Sequence, residues 1–361
     1  MEEQKKLQNK KQQNKPLKEC DIKIDLTHKM GLDIPKENKY IIPIFIPHRG
    51  CKNDCVFCNQ KKISGEMRTV TPDDVEQEII MWLRNFRDKT RPVQVAFFGG
   101  SFTGLRFSEQ EEFLKVAYKF IQNKKIDSIK LSTRPDYIND EILTLLKKYN
   151  VTCIELGVQS MADDVLDSSK RGHTANSVVV ASKLIKKYGF SLGHQVMIGL
   201  PNSTEDKEVY TIKECLKLKP DVIRIYPVYV LKDSKLYDMT ISGEYIPLTL
   251  DEAVERTKKV YNECVKNSVN VIRIGLQTTE EINEVNTNIL GPVCDNYKEK
   301  VLASIARDEI VKKLSKIKKY NKVNLVVPDK TKNFVIGNRR ENILYLEQKT
   351  DTKLLVKSSK I

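Results

Sequence analysis

Short apolar runs alternate with longer amphipathic segments along the chain from residue 40 onward. The runs are rich in β-branched residues, and their length and composition predict strands. Residues 41–46 are apolar throughout, which is typical of a strand that is covered on both faces. The predicted strands are Ile41–Ile46, Val93–Phe98, Ile129–Leu131, Cys153–Gly157, Leu192–Ile198, Val222–Tyr226 and Val271–Ile274.

The segments between these runs place apolar residues at helical spacing. Several of them open with cap signals, including Thr71-Pro72-Asp73-Asp74 and Ser203-Thr204-Glu205-Asp206. The predicted helices are Pro72–Phe86, Glu109–Asn123, Asp140–Tyr149, Asn176–Tyr188, Thr204–Leu218 and Leu250–Asn267. Repeated strand–helix units predict an α/β fold with a parallel sheet and right-handed crossovers, either doubly wound or curled into a barrel.

The two ends of the chain differ from this pattern. Residues 1–38 lack a periodic apolar pattern and are predicted to form a flexible leader, which leaves 39–310 as the core domain. Residues 311–361 are predicted to form a small α+β module. After a helix at Asn296–Lys313, the predicted elements are a strand, two helices and a strand, at Val323–Val327, Lys330–Ile336, Arg339–Lys349 and Lys353–Val356.

Positive charge is concentrated at the C-terminal end. The chain has a net charge of +14, and residues 311–361, with 14 Lys/Arg and 4 Asp/Glu, carry +10 of it. Residues 1–23 contribute +3 and residues 24–310 only +1. A nearly neutral body with a basic end suggests a polyanion partner, although lysines also accumulate on solvated faces.

Membrane and secretory signals are absent from the sequence. No apolar run approaches the roughly 18 residues that span a bilayer, and the Lys/Gln/Glu-rich residues 1–20 contain no signal-peptide core. We therefore expect a cytoplasmic protein with no membrane partner. Eight cysteines in such a chain favour metal or thiol chemistry over a disulfide framework.

Three of the cysteines, Cys51, Cys55 and Cys58, have the spacing C-x3-C-x2-C directly after the first predicted strand. They are therefore expected in the first strand-to-helix loop, and ligands bind at the carboxyl ends of parallel strands. Three thiolates leave one iron of a four-iron cluster without a protein ligand. A structural zinc site that adds His48 as a fourth ligand is the alternative.

This loop, with Phe57 before its last cysteine, resembles the radical S-adenosylmethionine (SAM) superfamily, and the resemblance extends over about residues 40–276. The resemblance implies a partial (β/α)6 TIM-like barrel in which the three cysteines hold a 4Fe-4S cluster. The free iron would chelate SAM, and reductive cleavage of SAM would yield a 5′-deoxyadenosyl radical. A low-potential flavodoxin or ferredoxin would supply the electron.

The resemblance also implies residues that bind SAM. Gly99 and Gly100 end the second predicted strand, where family members carry a Gly-Gly turn whose backbone contacts the SAM amino group. Gln159 and Arg171 have the spacing of a SAM-binding pair in the oxygen-independent coproporphyrinogen oxidases. An arginine at this position suits fork-like hydrogen bonding to a carboxylate.

Two further positions of the expected SAM site depart from patterns in the family. Ser132 stands where the coproporphyrinogen enzymes have a glutamate. Gln195 stands where some relatives place an aspartate near the ribose, although its amide can still hydrogen-bond hydroxyl groups.

Residues 224–232, with the sequence Arg-Ile-Tyr-Pro-Val-Tyr-Val-Leu-Lys, are more similar to the elongator catalytic subunits. Those subunits act on the wobble uridine of transfer RNA. They use a differently spaced cysteine loop, and they carry an acetyltransferase domain that we do not expect here. The resemblance therefore does not imply acetyl-CoA chemistry.

Arg224 and Tyr226 are the candidate catalytic residues. Strand alternation puts both on the same face of the sixth predicted strand, towards the expected reaction chamber. A tyrosine can relay hydrogen atoms or stack on a base, and an arginine can bind phosphate or carboxylate. Filling of the barrel interior is the alternative role for the tyrosine.

Residues 335–343 lie between the two predicted helices of the C-terminal module. This strand–helix–helix–strand context resembles the minimal core of a KH domain, whose G-x-x-G loop clamps a nucleic-acid backbone. Gly337 matches the first glycine, and Arg340 stands at the second. Arg339 and Arg340 could hold phosphates by charge instead. A basic module that packs on the barrel is the alternative.

The leading hypothesis is therefore a radical SAM enzyme that modifies RNA, with a transfer RNA base as the expected substrate. One alternative keeps the radical chemistry and gives it a small-molecule substrate. The other is a non-catalytic RNA-binding protein with structural zinc, which metal analysis after anaerobic purification separates from the enzyme.

Overall fold

The computed structural model describes residues 19–35, 38–46, 51, 55–58, 70–276, 289–316 and 320–359. The chain divides into two compact units. The larger unit comprises residues 34–298, and the smaller unit comprises residues 1–33 together with 299–361.

The elements are numbered in chain order. The strands are β1 (Glu19–Lys23), β2 (Tyr40–Phe45), β3 (Val93–Phe98), β4 (Ser128–Thr133), β5 (Val151–Gln159), β6 (Ser191–Ile198), β7 (Val222–Pro227), β8 (Val230–Leu231), β9 (Asn270–Ile274), β10 (Ile289–Leu290), β11 (Lys322–Pro328) and β12 (Lys353–Ser359). The helices are α1 (Pro72–Asn85), α2 (Phe107–Gln122), α3 (Asp140–Lys148), α4 (Asp163–Ser168), α5 (Ala175–Lys187), α6 (Glu205–Lys217), α7 (Lys235–Ile241), α8 (Leu250–Lys266), α9 (Tyr297–Leu314), α10 (Asp329–Ile336) and α11 (Glu341–Thr350). Every predicted strand and helix is present, with small differences at the ends.

Seven parallel strands form the main sheet of the larger unit, in the order β2-β3-β4-β5-β6-β7-β9. Each strand is added beside the preceding one, so the order never reverses as it does in a doubly wound sheet. The sheet curls into a half-barrel, which confirms the predicted partial TIM-like fold, with seven strands instead of six.

The two faces of this sheet differ in polarity. The outer face is apolar, with Phe97, Leu131, Ile154 and Leu156 among its fully buried side chains. Burial of a side chain of this size stabilises the fold by about 1.5–3 kcal/mol. The inner face carries polar and charged side chains, at Gln94, Lys130, Ser132, Glu155, Gln159, Gln195, Arg224 and Tyr226. The sheet therefore has a packed apolar outer side and a polar, charged inner side.

Threonine side chains cap several of the helices of this unit. Thr71 accepts a hydrogen bond from the backbone N–H of Asp74, and Thr204 accepts one from that of Lys207, which confirms both predicted caps. Thr249 caps α8 in the same way. A cap of this kind typically contributes about 1 kcal/mol, because it satisfies a backbone donor that the helix itself cannot pair.

The smaller unit contains a three-stranded parallel sheet in the order β1-β11-β12. Strand β1 lies within residues 1–38, where the sequence predicts a flexible leader. Cys20, Ile22, Ile24 and Leu26 alternate with polar residues there, and the last two are buried. The lysine-rich residues on either side mask this period-2 pattern, and the partner strand lies about 300 residues further along the chain.

The C-terminal elements follow the predicted order of strand β11, helices α10 and α11, and strand β12. The compact unit that contains them comprises residues 1–33 and 299–361, so it is larger than the predicted module of residues 311–361.

In the part of the chain that the structure describes, no helix has the length and apolar character needed to cross a membrane.

Candidate active site

A cavity of about 1140 Å³ lies on the inner face of the half-barrel. It extends from the carboxyl ends of the strands, where Gly99 and Gln159 lie, to their amino ends, where Asp221 and Asn270 lie. The residues that the sequence assigns to the cluster, to SAM and to catalysis all line it, namely Cys51, Cys55, Phe57, Cys58, Gly99, Gly100, Ser132, Gln159, Arg171, Gln195, Arg224 and Tyr226. The fold thus brings them to one site.

The cysteine loop is anchored to the barrel through Val56. Its backbone N–H donates to the carbonyl of Ser169 (3.2 Å), and its carbonyl accepts from the N–H of Leu236 (2.8 Å). The Val56 side chain is buried in an apolar cluster with Val165 and Leu200. These contacts fix the segment between the second and third cysteines against α4 and α7.

The three cysteines differ in exposure and in their neighbours. Cys55 is buried, Cys58 is half-buried and Cys51 is exposed. The Cys51 thiol donates to Ser101 Oγ at 3.3 Å, and Arg171 Nη1 donates to Cys55 Sγ at 3.2 Å. Each of these two sulfurs therefore has a polar side chain within hydrogen-bonding distance.

The donor set fits a 4Fe-4S cluster with one open iron. Three thiolates on one cavity are soft ligands suited to iron–sulfur clusters, and the adjoining space leaves room for a group at the open position. A structural zinc site is instead closed by a fourth protein ligand. Among the described residues, which include these three cysteines, no group of three His, Cys, Asp or Glu side chains is gathered closely enough to hold a single metal ion, so the fit to a cluster rests on the donor chemistry and the shared cavity. His48, the fourth ligand of the zinc alternative, lies outside the described residues.

The predicted SAM-binding residues of β5 and β6 lie close together. Gln195 Nε2 donates to Gln159 Oε1 at 3.4 Å, and Arg171 Nη2 donates to the carbonyl of Gly157 at 2.8 Å. A Cβ on Gly157 would lie 3.1 Å from Gln159 Nε2 and 3.4 Å from Arg171 Nη2. Glycine therefore lets both side chains approach the strand.

The Gly99-Gly100 turn and Ser132 occupy the neighbouring strand ends. Gly99 has a φ of 91°, and a Cβ there would lie 3.2 Å from the backbone nitrogen of Ile46. A side chain at Gly99 would therefore be strained and would crowd the end of β2, just before the cysteine loop. Ser132 is half-buried near the end of β4, and Phe57 packs on the apolar cluster around Val56.

A buried ion-pair network, which sequence reasoning missed, lies on the inner wall. Lys130 Nζ donates to Glu155 Oε1 at 3.0 Å, and Arg224 Nε donates to Glu155 Oε2 at 2.7 Å. Arg224 Nη1 also donates to the Tyr226 hydroxyl at 3.1 Å. Both cations lie over the ring of Phe98, at 5.4 and 5.3 Å from its centroid.

This network changes the interpretation of Arg224, which the sequence suggests could bind a phosphate or carboxylate. Arg224 pairs with a carboxylate of the chain itself. Burial alone would raise the pKa of Glu155, but the charges of Arg224 and Lys130 hold it below its ordinary value. A Cβ on Gly193 would lie 2.7 Å from Glu155 Cγ, so glycine makes room for this carboxylate. The sequence does carry a signal for this pair: Glu155 and Arg224 are each the single charged residue of an otherwise largely apolar strand.

The predicted RNA-binding residues lie between α10 and α11 of the smaller unit. Gly337 has a φ of 74°, and a Cβ there would lie 2.9 Å from the backbone nitrogen of Asn342, so the turn requires glycine. Arg339 and Arg340 are exposed and have φ values of 46° and 66°. Arg340, at the place of the second glycine, therefore adopts the left-handed conformation that glycine adopts most easily.

The barrel and its cavity agree with comparisons to known families. Residues 45–215 match the model of the radical SAM superfamily, and residues 220–307 match that of the Radical SAM C-terminal domain. Together the two models match well over half of the chain. The protein belongs to the radical SAM superfamily and is an enzyme of that class, whose cofactors are a 4Fe-4S cluster and SAM.

Within this superfamily the chain is similar to elongator catalytic subunits, as the sequence predicts. It is 27% identical over 234 residues to the tRNA uridine(34) acetyltransferase of Methanocaldococcus jannaschii. This match covers 58% of this chain and 43% of that protein. It is 27% identical over 198 residues to Elongator complex protein 3 of Dictyostelium discoideum, with 49% and 35% covered. The match thus spans less than half the length of these curated relatives.

A solved structure shows the same fold. The archaeal Methanocaldococcus infernus Elp3 with an N-terminal deletion superposes with a TM-score of 0.59 at 20% identity. The superposition covers 76% of this chain and 64% of the other.

Proposed function

We propose that this radical SAM enzyme modifies a base of transfer RNA. The observation that carries the proposal is that Cys51, Cys55 and Cys58 line the same cavity as Gln159 and Arg171. One cavity therefore offers thiolates for a cluster and polar side chains for the SAM at its open iron. When bound, these cofactors supply a 5′-deoxyadenosyl radical to the cavity.

Arg171, Gln159 and Gln195 orient the cofactor. The Arg171 guanidinium, fixed by its bond to the carbonyl of Gly157, is suited to paired hydrogen bonds with a carboxylate. The amides of Gln159 and Gln195 each offer both a donor and an acceptor, which suits the hydroxyl groups of a ribose.

Tyr226 faces the substrate in this proposal. Its oxygen accepts a hydrogen bond from Arg224 Nη1, and Arg224 is held in turn by Glu155. The phenolic hydrogen remains available to a substrate acceptor or to a hydrogen relay. The cavity is larger than the roughly 300–1,000 Å³ of ordinary ligand pockets, so it can hold a nucleobase as well as SAM.

The smaller unit supports RNA as the substrate class. Besides its positive charge and the exposed pair Arg339 and Arg340, it carries an exposed aromatic ring at Tyr345. Arg307 and Lys349 lie over that ring at 5.0 and 5.4 Å from its centroid. An aromatic ring among cations suits stacked bases and their phosphates.

The curated relatives point to the kind of RNA. The archaeal relative is named for uridine 34 of transfer RNA, so a transfer RNA base is the substrate that we infer. Its acetyl transfer is not carried over, because the match spans less than half of that protein. The proposal further includes a low-potential flavodoxin or ferredoxin as the electron donor, in the cytoplasm.

Mass spectrometry of transfer RNA nucleosides tests the proposal. Nucleosides are compared between a strain with the gene, a strain without it, and the latter complemented with wild type or with Cys55→Ala. We expect one modified nucleoside to be missing without the gene, restored by the wild type and not restored by Cys55→Ala. Identical nucleoside profiles in all four strains would contradict a transfer RNA substrate and favour the small-molecule alternative.

A further inference from the structure

Arg134, which directly follows β4, is a buried cation outside the residues assigned to the cluster, to SAM or to substrate. It is 2% exposed, and its Nε and Nη2 each donate to the Asp136 carboxylate at 3.0 Å. Its Nη2 also donates to the carbonyl of Arg171 at 2.5 Å. Its Nη1 is buried without a hydrogen-bond partner among the described residues. Arg134 also lines the cavity that holds the three cysteines.

One guanidinium contacts Cys55, and a second supports the residue that carries the first. Arg171 Nη1 donates directly to Cys55 Sγ at 3.2 Å, and Arg134 holds the backbone of Arg171 in place. Burial opposes the charge on Arg134, but Asp136 and, to a smaller extent, Cys55 hold the pKa of Arg134 above its ordinary value. Arg134 is therefore linked to Cys55 through Arg171, whose backbone it holds and whose guanidinium contacts the sulfur.

Hydrogen bonds link three charged groups to Cys55, namely Arg171, Arg134 and Asp136. Burial, followed by the charges of Arg171 and Arg134, lowers the pKa of His173 to about 3, so this imidazole is neutral at neutral pH. The Asp136 carboxylate, which is 25% exposed, offsets one of the two guanidinium charges. Arg171, Arg134 and Asp136 thus sum to one positive charge, and both guanidinium groups are buried, where solvent screens them little.

We propose that Arg134 is a positioning residue that raises the reduction potential of the cluster. The inference rests on the proposed function, because it requires a cluster on Cys55. When a donor passes one electron to the cluster, the added negative charge is stabilised by a nearby cation and by donors to its sulfurs. Arg134 supplies a cation and fixes Arg171, which donates to the Cys55 sulfur, while its own protonation does not change.

A redox titration of the full-length, anaerobically reconstituted protein tests this role. The reduced cluster is followed by electron paramagnetic resonance (EPR) while dithionite sets the potential. For Arg134→Gln we expect the ratio of reduced to oxidised cluster at a fixed potential to fall about tenfold, a shift of about 59 mV to lower potential for one electron. Arg134→Lys, which keeps the charge, should recover most of the wild-type potential.

Asp136→Asn is the second variant, and its expected effect has the opposite sign. Removing this carboxylate leaves the charge of Arg134 less neutralised, so the potential should rise. This partly exposed position also keeps the test decisive if Arg134→Gln does not fold. The matched control is Arg87→Gln, an exposed arginine that precedes β3 at the amino end of the sheet, which should leave the potential unchanged.

The possible outcomes separate the proposed function from the role of Arg134. Wild-type protein that assembles no cluster overturns the proposed function itself. Clusters that assemble with the same potential in the wild type, Arg134→Gln and Asp136→Asn overturn the role of Arg134 alone. Shifts of opposite sign in the two variants, at equal iron content, are the result that supports it.

Discussion

Charged side chains are arranged differently in the two units. On the inner wall of the half-barrel, Glu155 is 4% exposed and is paired with both Lys130 and Arg224. In the smaller unit, Arg339 and Arg340 are exposed on a left-handed turn. The buried charges position other groups of the chain and depend on their counterions. The exposed charges remain available to a polyanion, and salt must weaken what they bind.

The largest expected effect concerns the cysteines of the barrel cavity. Changing Cys51, Cys55 or Cys58 to Ala should abolish the release of 5′-deoxyadenosine from SAM under reducing conditions, because each removes a cluster ligand. Cys215→Ala is the matched control and should retain the activity. Burial raises the pKa of the Cys215 thiol well above its ordinary value, and this residue does not line the cavity. If any of the three variants releases 5′-deoxyadenosine as fast as the wild type, the cysteine changed in it is not a ligand of the cluster.

The second prediction tests whether the buried charges depend on each other. Glu155→Gln leaves Lys130 and Arg224 buried without their counterion, which should lower the free energy of unfolding by about 3–5 kcal/mol. Chemical denaturation followed by the fluorescence of Trp82, the single tryptophan, reports on this unit. Glu214→Gln, which breaks the more exposed pair with Lys217, should have a much smaller effect. If Glu155→Gln and Glu214→Gln lower the free energy of unfolding by the same amount, the buried ion pairs do not depend on their counterions more than the exposed pairs do.

The third prediction concerns the exposed charges of the smaller unit. A double change of Arg339 and Arg340 to Gln should weaken transfer RNA binding and flatten its salt dependence. The slope of log K against log salt should become shallower by about 0.7–0.9 for each phosphate that the protein no longer neutralises. Filter binding at several salt concentrations measures both quantities. The control changes the exposed residues Lys124 and Lys125 of the larger unit to Gln. If the control weakens transfer RNA binding as much as the change of Arg339 and Arg340, the smaller unit does not provide a specific RNA-binding surface.

The smallest expected effect is a pH dependence from a histidine buried in the barrel. Burial, with a smaller contribution from Lys186, lowers the pKa of His194 to about 3, while its Nε2 lies 2.9 Å from Ser182 Oγ. Below about pH 6.5 the unfolded chain takes up a proton that the folded chain does not. Stability should therefore fall as the pH drops from about 6.5 towards 3, by at most about 1.4 kcal/mol per pH unit from this group.

His194→Gln provides the test of this pH dependence. The free energy of unfolding of the wild type should decrease more than that of the variant between pH 7 and pH 5. If both proteins lose the same stability over this interval, His194 does not titrate on unfolding as its burial implies.

The strands and helices of the half-barrel could be predicted from the sequence because the patterns that mark them lie within short segments of the chain. Strand and helix periods mark each β/α unit, and the predicted strand Val222–Tyr226 agrees with β7 to within one residue. The cysteine spacing and the Gln159 and Arg171 positions are also local patterns, and the structure brings them to one cavity. Their assignments to cluster, cofactor and substrate stay predictions.

The features that sequence reasoning missed arise from contacts between distant residues. Glu155 pairs with residues 25 and 69 positions away, so neither partner is visible beside it in the chain. Strand β1 is recognisable only beside β11, whose residues lie about 300 positions later. Arg134 follows β4 directly, and its burial and its bond to the Arg171 carbonyl depend on the folded barrel.

We infer that three cysteines of one loop hold a cluster whose open iron binds SAM. The EPR spectrum of the anaerobically reconstituted, dithionite-reduced protein, recorded with and without SAM and combined with metal analysis, tests this inference. We expect about four irons per chain and a 4Fe-4S signal that changes when SAM is added. Stoichiometric zinc without iron, or a cluster signal that SAM leaves unchanged, would contradict it.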